Sequence, residues 1–364
     1  MEPKIIAMYL PQYHEIPENN EFWGKGFSDW VTVKKAKPLF KGHDQPKVPL
    51  NGNYYDLSQK ESVKWQAELA KKYGVYGFGI YHYWFNNDKN LLTKPAEIIK
   101  DNPDIDIKFH FAWDNTSWVR SWSNVSGNAW APSYEKSKLK GGKAVLVEYI
   151  LGSKEDWKKH YEWLRPFFKD ERYIKKNNKP IFVIFHFSPE IEQMCNYWQK
   201  LAQNDGFAGI HFIFRYVEDV VLPKGLFSFR YEPIYSGWSN QSLLTRIINK
   251  IGKIIRRDGT LNRYIYKSIW KNIISNAKKT KDSSMYYGAF VSYDDTPRRG
   301  RKGIVVVGST PSIFRDYLGK LVKICKIQNK EFIFLTAWNE WGEGAYLEPD
   351  ESNQQGFLEA LNSL

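Results

Sequence analysis

Short apolar segments recur along this chain, and each ends in polar or aromatic residues. Runs of this length and composition are typical of strands in a parallel sheet that is covered by helices. The predicted strands begin at Lys4, Val75, Ile105, Pro180, Ile210, Leu226, Met285 and Phe332. Eight strands alternating with helices predict an α/β fold, a (β/α)8 TIM barrel, with an active site at the C-terminal ends of the strands.

An open, doubly wound sheet is the alternative fold. It would carry a glycine-rich phosphate loop after its first strand, and the sequence Tyr-Leu-Pro-Gln at residues 9–12 is no such loop. The 364 residues would allow two domains, but barrels commonly exceed about 250 residues as one domain. Because no linker or internal repeat is evident, we expect residues 1–364 to form a single domain with long βα loops.

Cap residues mark several predicted helices. A helix over residues 58–73 would begin with Ser58 as its N-cap, with Glu61 at the capping-box position, and would end at Gly74. Thr310 is the expected cap of a helix over Pro311–Ile327. Residues 21–49 show neither helix nor strand periodicity, so we expect a long loop there.

Composition bears on location and partners. Aromatic residues make up 16% of the chain, which favours stacking on sugar rings and extra core packing about equally. The N-terminus does not resemble a signal peptide, and no apolar stretch is long enough to cross a membrane, so we expect a cytoplasmic protein. Cys195 and Cys325 lack metal-type spacing and are expected to be reduced core thiols.

A basic segment, residues 242–282, is expected to be a helical insertion between strands six and seven. Apolar residues from Leu244 to Ile255 form a helical stripe, and many basic residues stand against only two acids, Asp258 and Asp282. One interpretation is a barrel helix with a solvated basic face. The segment and the net charge of +13 also fit peripheral contact with an anionic membrane, at the inner leaflet. No base-reading module is present, so we expect no nucleic-acid partner.

The clearest site signal follows the eighth predicted strand, in Trp338–Gly344. Reaction at a glycosidic bond needs a carboxylic acid at the departing oxygen and a second carboxylate at the anomeric side, and Glu340 and Glu343 supply that pair. A solvated pair on a helix face is the alternative, which the preceding strand and the neighbouring tryptophans disfavour. A barrel mouth lined with aromatic side chains would raise the pKa of one glutamate and leave the other ionised.

Other catalytic chemistries lack their motifs. The sequence has no nucleophile elbow, no His-x-His, no His-Glu-x-x-His and no paired cysteines. His82, His186 and Asp114 lie at the ends of different strands and could approach one another, although such histidines are usually satisfied by hydrogen bonds within a fold. We therefore expect no metal site and no cofactor.

Five segments together resemble a known family and span nearly the whole chain. They are Met8–His14, Glu18–Trp30, Tyr81–Phe85, Asp295–Arg299 and Trp338–Gly344. They look like the WbsX family of bacterial polysaccharide gene clusters, which is often labelled glycosyltransferase and is related to family 99 glycoside hydrolases. The resemblance implies an enzyme of surface polysaccharide, O-antigen or capsule, whose oligosaccharide or polysaccharide substrate is free or lipid-linked.

The resemblance also implies separate roles for the two glutamates. In family 99 endo-α-mannosidases the first Glu of a similar motif deprotonates the sugar's own 2-hydroxyl, which attacks the anomeric carbon, and the second acts as acid and then base. Carried over, Glu340 would assist the 2-hydroxyl and Glu343 would protonate the leaving oxygen. Two positions depart from the patterns: Gly342 stands where family 99 hydrolases usually have His, and Thr116, two residues after Asp114, stands where WbsX sequences have Glu.

Residues at the strand ends and in the loop after the first strand are expected to contact the sugar. They are Tyr9, Gln12, His14, Trp30, Tyr81, His82, Trp84, Trp113, Asp114, Asn115, Trp118, Arg120, His186, Glu232, Asp294, Asp295, Arg298, Trp338, Asn339 and Trp341.

Three functions follow from these patterns. A retaining enzyme acting on α-linked glycosides is favoured by the glutamate pair and the resemblance. A glycosyltransferase with a nucleotide-linked or lipid-linked donor is the second, although Asp294-Asp295 is a poor match to an Asp-x-Asp metal motif. A non-catalytic glycan-binding protein is the third.

Overall fold

The computed structural model describes residues 2–119, 139–140, 143–239 and 243–364, and its centre is a closed barrel of parallel strands. The eight strands are β1 Lys4–Tyr9, β2 Gly77–Asn86, β3 Lys108–Trp113, β4 Lys179–Ile184, β5 His211–Arg215, β6 Phe227–Phe229, β7 Met285–Phe290 and β8 Phe332–Thr336. Strands adjacent in sequence are adjacent in the sheet, and β1 pairs with both β2 and β8, which closes it. The predicted (β/α)8 barrel is confirmed.

Helices connect most of the strands and cover the outside of the barrel. The α-helices are α1 Pro17–Trp23, α2 Asp29–Lys35, α3 Lys60–Lys72, α4 Lys94–Asp101, α5 Lys154–Lys169, α6 Pro189–Asn204, α7 Leu243–Ile255, α8 Tyr266–Lys279, α9 Thr296–Arg299, α10 Pro311–Ile327 and α11 Gly356–Asn362. The described residues 216–226, which join β5 to β6, contain no helix. Cys195 in α6 and Cys325 in α10 are free and buried, as predicted.

The predicted helix and strand ends agree with the structure only in part. Thr310 caps α10 as predicted, because its hydroxyl oxygen accepts the backbone N–H of Ile313 at 3.3 Å. The helix predicted from residue 58 begins two residues later, with Gln59 as its N-cap, because the N–H of Ser58 donates to a turn with Asp56 at 2.7 Å. Strand β3 likewise begins at residue 108 rather than 105.

The long loop predicted over residues 21–49 contains helix α2 and the end of α1. Each of these helices is seven residues long, which is too short for a sustained apolar period. Helix α2 buries Asp29, Trp30 and Val33, so this connection packs over the barrel instead of extending into solvent.

The basic segment contains two helices separated by a short strand. Strand Asn262–Ile265 lies between α7 and α8 and pairs in parallel with Ile304–Val307. Helix α8 buries Ile269, Trp270 and Ile273. In the part of the chain that the structure describes, no helix is both long enough and apolar enough to span a bilayer.

Candidate active site

The predicted glutamate pair lies in a hairpin directly after β8. Residues 339–340 pair antiparallel with residues 345–346, and Trp341–Glu343 form a single 3-10 turn between them. Gly344 follows with φ of +55°, a left-handed conformation that glycine adopts without steric cost. The side chain of Asn339 accepts the N–H of Leu10 at 2.7 Å and donates to its carbonyl at 3.0 Å. The hairpin is thereby fixed to the end of β1, at the barrel mouth.

Arg298 in α9 connects both glutamates. Its Nη1 donates to Oε1 of Glu343 at 2.9 Å, and its Nη2 lies 3.4 Å from Oε2 of Glu340. The same guanidinium holds Asp29 through Nη2 at 2.9 Å and Nε at 3.3 Å. Arg298 is therefore the cation around which three carboxylates of the mouth are arranged.

The two glutamates occupy different environments. The Glu343 side chain is 23% exposed, whereas that of Glu340 is 7% exposed. Burial raises the pKa of Glu340 to about 8; the charge of Glu343 adds to this effect and Arg298 opposes it. The carboxyl group of Glu340 is therefore largely protonated at neutral pH.

Three tyrosines interact electrostatically with the pair. The hydroxyls of Tyr81 and Tyr231 lie 2.6 Å apart. Burial raises the pKa of Tyr81, Tyr83 and Tyr231. Negative charges raise it further, those of both glutamates for Tyr81 and Tyr231 and those of Asp114 and Glu340 for Tyr83. All three are therefore neutral hydrogen-bond donors at physiological pH. Tyr231 is only partly buried and can meet a sugar hydroxyl, whereas Tyr81 and Tyr83 are buried.

The side chains of β2 alternate between the two faces of the sheet, so the residues of this strand that were predicted to contact the sugar lie on different sides. Tyr81 faces the mouth, but His82 and Trp84 point outward against α5. Nε2 of His82 lies 2.8 Å from Nε2 of His160, and Trp84 stacks on the same imidazole at 4.3 Å. Because strand side chains alternate between faces, His82 and Trp84 belong to the helix interface and not to the site.

Five aromatic residues predicted to contact sugar are buried in the protein instead. Tyr9, Trp30, Trp113, Trp338 and Trp341 are each at most 5% exposed. The Tyr9 hydroxyl donates to Gln66 at 2.7 Å, and the indole of Trp341 donates to Glu348 at 2.6 Å. Their rings pack against the core, so they offer no free face to a sugar.

The carboxylates after β6 and β7 accept hydrogen bonds from other groups of the protein. Asp294 accepts hydrogen bonds from the side chains of His43 and Gln45, each at 2.7 Å. Asp295 accepts the N–H of Ile304 at 2.6 Å. Glu232 accepts from the N–H and hydroxyl of Ser236, at 2.9 and 2.6 Å. These carboxylates hold the loops in place, and all three are buried.

The loop after β3 is also held by internal bonds. The side chain of Asn115 donates to the carbonyl of His186 and accepts its N–H, both at 2.8 Å. Asp114 accepts the Thr116 hydroxyl at 2.8 Å, and its charge acts on Tyr83 and Arg215 at the mouth. Arg215 lies 3.3 Å from the imidazole of the exposed His186.

Four other residues were predicted to contact the sugar. Gln12 and Trp118 line a small cavity of about 40 Å³. His14 is buried, and burial lowers its pKa. Arg120 lies outside the described residues.

Asp29, Tyr83, Tyr231 and Arg215 were not predicted as site residues. Tyr83 lies two residues after Tyr81 and therefore on the same face of the strand. Assigning each residue of β2 to one face of the sheet would have identified it. Tyr231 and Arg215 follow β6 and end β5, where polar residues were expected. Asp29 had no such signal, because only the fold brings it to Arg298.

A cavity of about 340 Å³ lies behind the hairpin, lined by Tyr55, Trp65, Trp341 and Glu348 among others. Neither Glu340 nor Glu343 lines it, so it is not the place where a glycosidic bond would meet the pair. Within the described ranges, no group of three or more His, Cys, Asp or Glu side chains could hold a metal ion. The expected absence of a metal and a cofactor stays a prediction.

Comparison with known sequences gives one family over nearly the whole chain. The family described as "Glycosyltransferase WbsX" matches residues 5–361. Two curated proteins described as "Uncharacterized protein WxcX", from Xanthomonas campestris pv. campestris strains B100 and ATCC 33913, are each 28% identical over 366 residues. The match covers 98% of this chain and 48% of each relative, so the chain spans about half the length of these curated relatives.

Solved structures share the fold at low sequence identity. A "Glycoside hydrolase-like protein" is similar with a TM-score of 0.59 and 11% identity, over 100% of this chain and 93% of the other. The GH99 endo-alpha-mannosidase from Bacteroides thetaiotaomicron is similar with a TM-score of 0.56 and 12% identity, over 99% and 95%. Identities this low establish the barrel alone.

Proposed function

Because the chain belongs to the family described as "Glycosyltransferase WbsX", we propose that it acts on glycosidic bonds of a bacterial surface polysaccharide with Glu340 and Glu343 as its catalytic pair. Family and fold together support a carbohydrate-active enzyme. The observation that carries the proposal is the bridge from Arg298 to both carboxylates, at 2.9 and 3.4 Å, at the C-terminal end of the barrel. Active sites of this fold lie at that end.

The proposed mechanism retains the anomeric configuration of an α-linked glycoside. Glu340 accepts the proton of the sugar's 2-hydroxyl while that oxygen attacks the anomeric carbon, and Glu343 donates its proton to the departing glycosidic oxygen. Glu343 then accepts a proton from water as the water oxygen attacks the same carbon. The 2-oxygen leaves and recovers its proton from Glu340, so both glutamates return to their starting states.

For these roles, the proton must leave Glu340, and Glu343 must carry a proton, before the reaction begins. In the ligand-free protein the raised pKa of Glu340 keeps the proton there, whereas the mechanism needs Glu340 ionised and Glu343 protonated. A sugar that takes over the contact of Arg298 with Glu343 would leave the guanidinium beside Glu340, where its positive charge lowers the pKa of that carboxyl group. Substrate entry is thus the step at which the proton is proposed to transfer.

Leaving-group dependence tests the two roles. Glu343→Gln should lower turnover of α-linked oligosaccharides by about 10²–10⁴-fold, because general acid catalysis contributes that much. The same variant should retain most of its activity on an α-glycoside with an activated aryl leaving group, which departs without protonation. Glu340→Gln should be inactive on both substrates. Rates and product anomers can be followed by NMR.

A control variant and one contrary result decide whether Glu343 is the general acid. Glu359→Gln, on the exposed face of α11, removes the same charge outside the hairpin and should leave every rate unchanged. Undiminished cleavage of the unactivated oligosaccharides by Glu343→Gln would remove that residue from the acid role.

Glycosyl transfer from an activated donor is the second candidate, favoured by the name of the family, "Glycosyltransferase WbsX". The nearest carboxylates to an Asp-x-Asp motif, Asp294 and Asp295, are bonded to protein donors, which weighs against metal-bound nucleotide at that position. Incubation with a panel of nucleotide sugars and oligosaccharide acceptors separates the two functions. Product that forms only with a donor would establish transfer.

The proposed substrate is an oligosaccharide or polysaccharide, free or lipid-linked, in the cytoplasm. Two free, buried cysteines agree with a reducing compartment. Extraction of cell fractions with and without detergent, followed by immunodetection, would locate the protein.

A further inference from the structure

Helix α7 exposes apolar side chains that barrel helices normally bury. Ile247, Ile251, Ile254 and Ile255 are 45%, 51%, 69% and 75% exposed. Their spacing of four, three and one residues places them on one face of the helix. Exposed apolar patches of this kind mark surfaces that contact a partner or a membrane.

The charges around this face all have one sign. Residues 243–257 contain five basic side chains and no acid. Lys250, which is exposed, borders the isoleucine face at helical spacing from Ile247 and Ile254. The next acid, Asp258, is 4% exposed and already bonded to Arg256 and Arg263, so it offers no carboxylate to a partner.

Helix α7 is not the helix that fills the layer around the barrel after β6. That position is taken by α8, which buries Ile269, Trp270 and Ile273. Trp270 is fully buried and stacks on Phe290 of β7 at 5.5 Å. The isoleucine face of α7 is therefore free to serve another purpose.

We propose that α7 is an interfacial helix that docks this protein on an anionic lipid bilayer, with its isoleucines among the acyl chains and its cations at the headgroups. An apolar face bordered by Lys and Arg is the pattern of helices that lie in a membrane surface. A second copy of the chain is a poorer occupant, because two such faces would bring basic residues against one another. Anionic headgroups neutralise the same charge.

Residues on both sides of α7 in the sequence pack near the candidate active site. Trp238, just before α7, stacks on Tyr264 at 5.7 Å and lies 5.1 Å from Tyr293. The residue after Tyr293, Asp294, donates its backbone N–H to the carbonyl of Glu343 at 2.6 Å. Docking would thus hold the barrel mouth near the membrane, where a lipid-anchored glycan is reached; this last step rests on the proposed function.

Vesicle flotation with the full chain tests the docking. The wild-type protein should float with equimolar phosphatidylcholine–phosphatidylglycerol vesicles, should stay behind with pure phosphatidylcholine, and should dissociate as salt is raised. The double variant Ile251→Asp/Ile254→Asp should lose vesicle binding by about 100-fold or more, because it places two carboxylates at the membrane surface. Lys250→Glu should weaken binding by about 10-fold or more.

Matched controls lie on α10. Ile327→Asp changes an isoleucine that is 81% exposed, and Lys323→Glu reverses an exposed charge; both should bind vesicles like the wild type. Thermal unfolding shows whether each variant is folded. Cleavage of a soluble oligosaccharide should be unchanged in all of them, so a failure of docking and a failure of the proposed chemistry are distinguishable.

Three results would overturn the proposal. The first is wild-type protein that does not bind anionic vesicles. The second is folded Ile251→Asp/Ile254→Asp that binds them as well as the controls do. The third is a dimer by light scattering that dissociates in the double variant without any vesicle binding, which would assign the face to a second copy.

Discussion

At the scale of single residues, Arg298 determines the electrostatics of the site. Its guanidinium contacts Asp29, Glu340 and Glu343, so one positive charge faces three carboxyl groups. Burial lowers the pKa of Arg298, but the three carboxylates together raise it well above its ordinary value. A proton on Glu340 removes one negative charge and lowers the repulsion within the cluster.

Gly342 is the residue that allows this cluster to pack against the hairpin. A Cβ atom at this position would lie 2.4 Å from Oδ2 of Asp29 and 2.6 Å from Nε of Arg298. A side chain at this position would collide with the Asp29–Arg298 pair, so glycine is the residue that fits beside it.

Gly342→Ala should therefore displace Arg298 from the glutamates. We expect a loss of about 1–3 kcal/mol in the free energy of unfolding, the usual range for overpacking, together with lower activity. Urea denaturation and turnover measure the two effects. Gly319→Ala within α10 is the control: its Cβ would meet only the Leu364 side chain at 3.2 Å, and alanine favours a helix. Equal effects of both substitutions would contradict this account of Gly342.

At the scale of elements, β2 shows how one strand serves two purposes. Its inward residues Tyr81 and Tyr83 face the glutamates, and its outward residues His82 and Trp84 pack on α5. The sequence presents all four as one polar and aromatic strand end. The orientation of the strand in the closed sheet alone decides which two side chains point inward and which two point outward.

The His82–His160 contact predicts an acid-sensitive interface between β2 and α5. Burial lowers the pKa of His82 to about 3 and lowers that of His160 well below its ordinary value, so both are neutral in the fold. Their unfolded pKa is about 6.5, so below that pH the unfolded chain binds more protons and stability falls as pH falls. Each histidine contributes a slope of up to about 1.4 kcal/mol per pH unit.

His160→Gln should remove one of these contributions. Urea unfolding between about pH 4 and pH 6, in the titration range set by the unfolded histidine, should show a slope shallower by about 1.4 kcal/mol per pH unit than in the wild type. Asn196→Gln, at an exposed position of α6, changes no titrating group and is the control, so its slope should equal that of the wild type. An unchanged slope in His160→Gln would mean that His160 is not held neutral by burial.

At the scale of the whole molecule, one side-chain contact joins the end of the last strand to that of the first and also positions the glutamate pair. Asn339 bonds both backbone groups of Leu10, which joins the residues after β8 to those after β1. Tyr13 adds a second link, because its hydroxyl donates to the carbonyl of Asn339 at 2.6 Å. The residues that follow β8 thus position the glutamates at the place where they are bonded to the residues after β1.

Asn339→Ala should destabilise the protein by about 3 kcal/mol, because the N–H and carbonyl of Leu10 would be buried without partners. Differential scanning calorimetry and urea unfolding measure this loss. Asn204→Ala, exposed at the end of α6, should change stability by no more than about 0.5 kcal/mol. A similarly small effect at Asn339 would show that closure does not depend on this side chain.

The sequence by itself determined the barrel, the cap of α10 and the position of the glutamate pair after the last strand, because apolar periodicity and local caps are properties of neighbouring residues. Tertiary structure decided which aromatic residues face the mouth, since Tyr9, Trp113 and Trp338 are as aromatic as Tyr81 and Tyr231 but lie in the core. It also decided the partner of Arg298. Asp29 is 269 residues away along the chain, and only closure of the barrel brings the two side chains together.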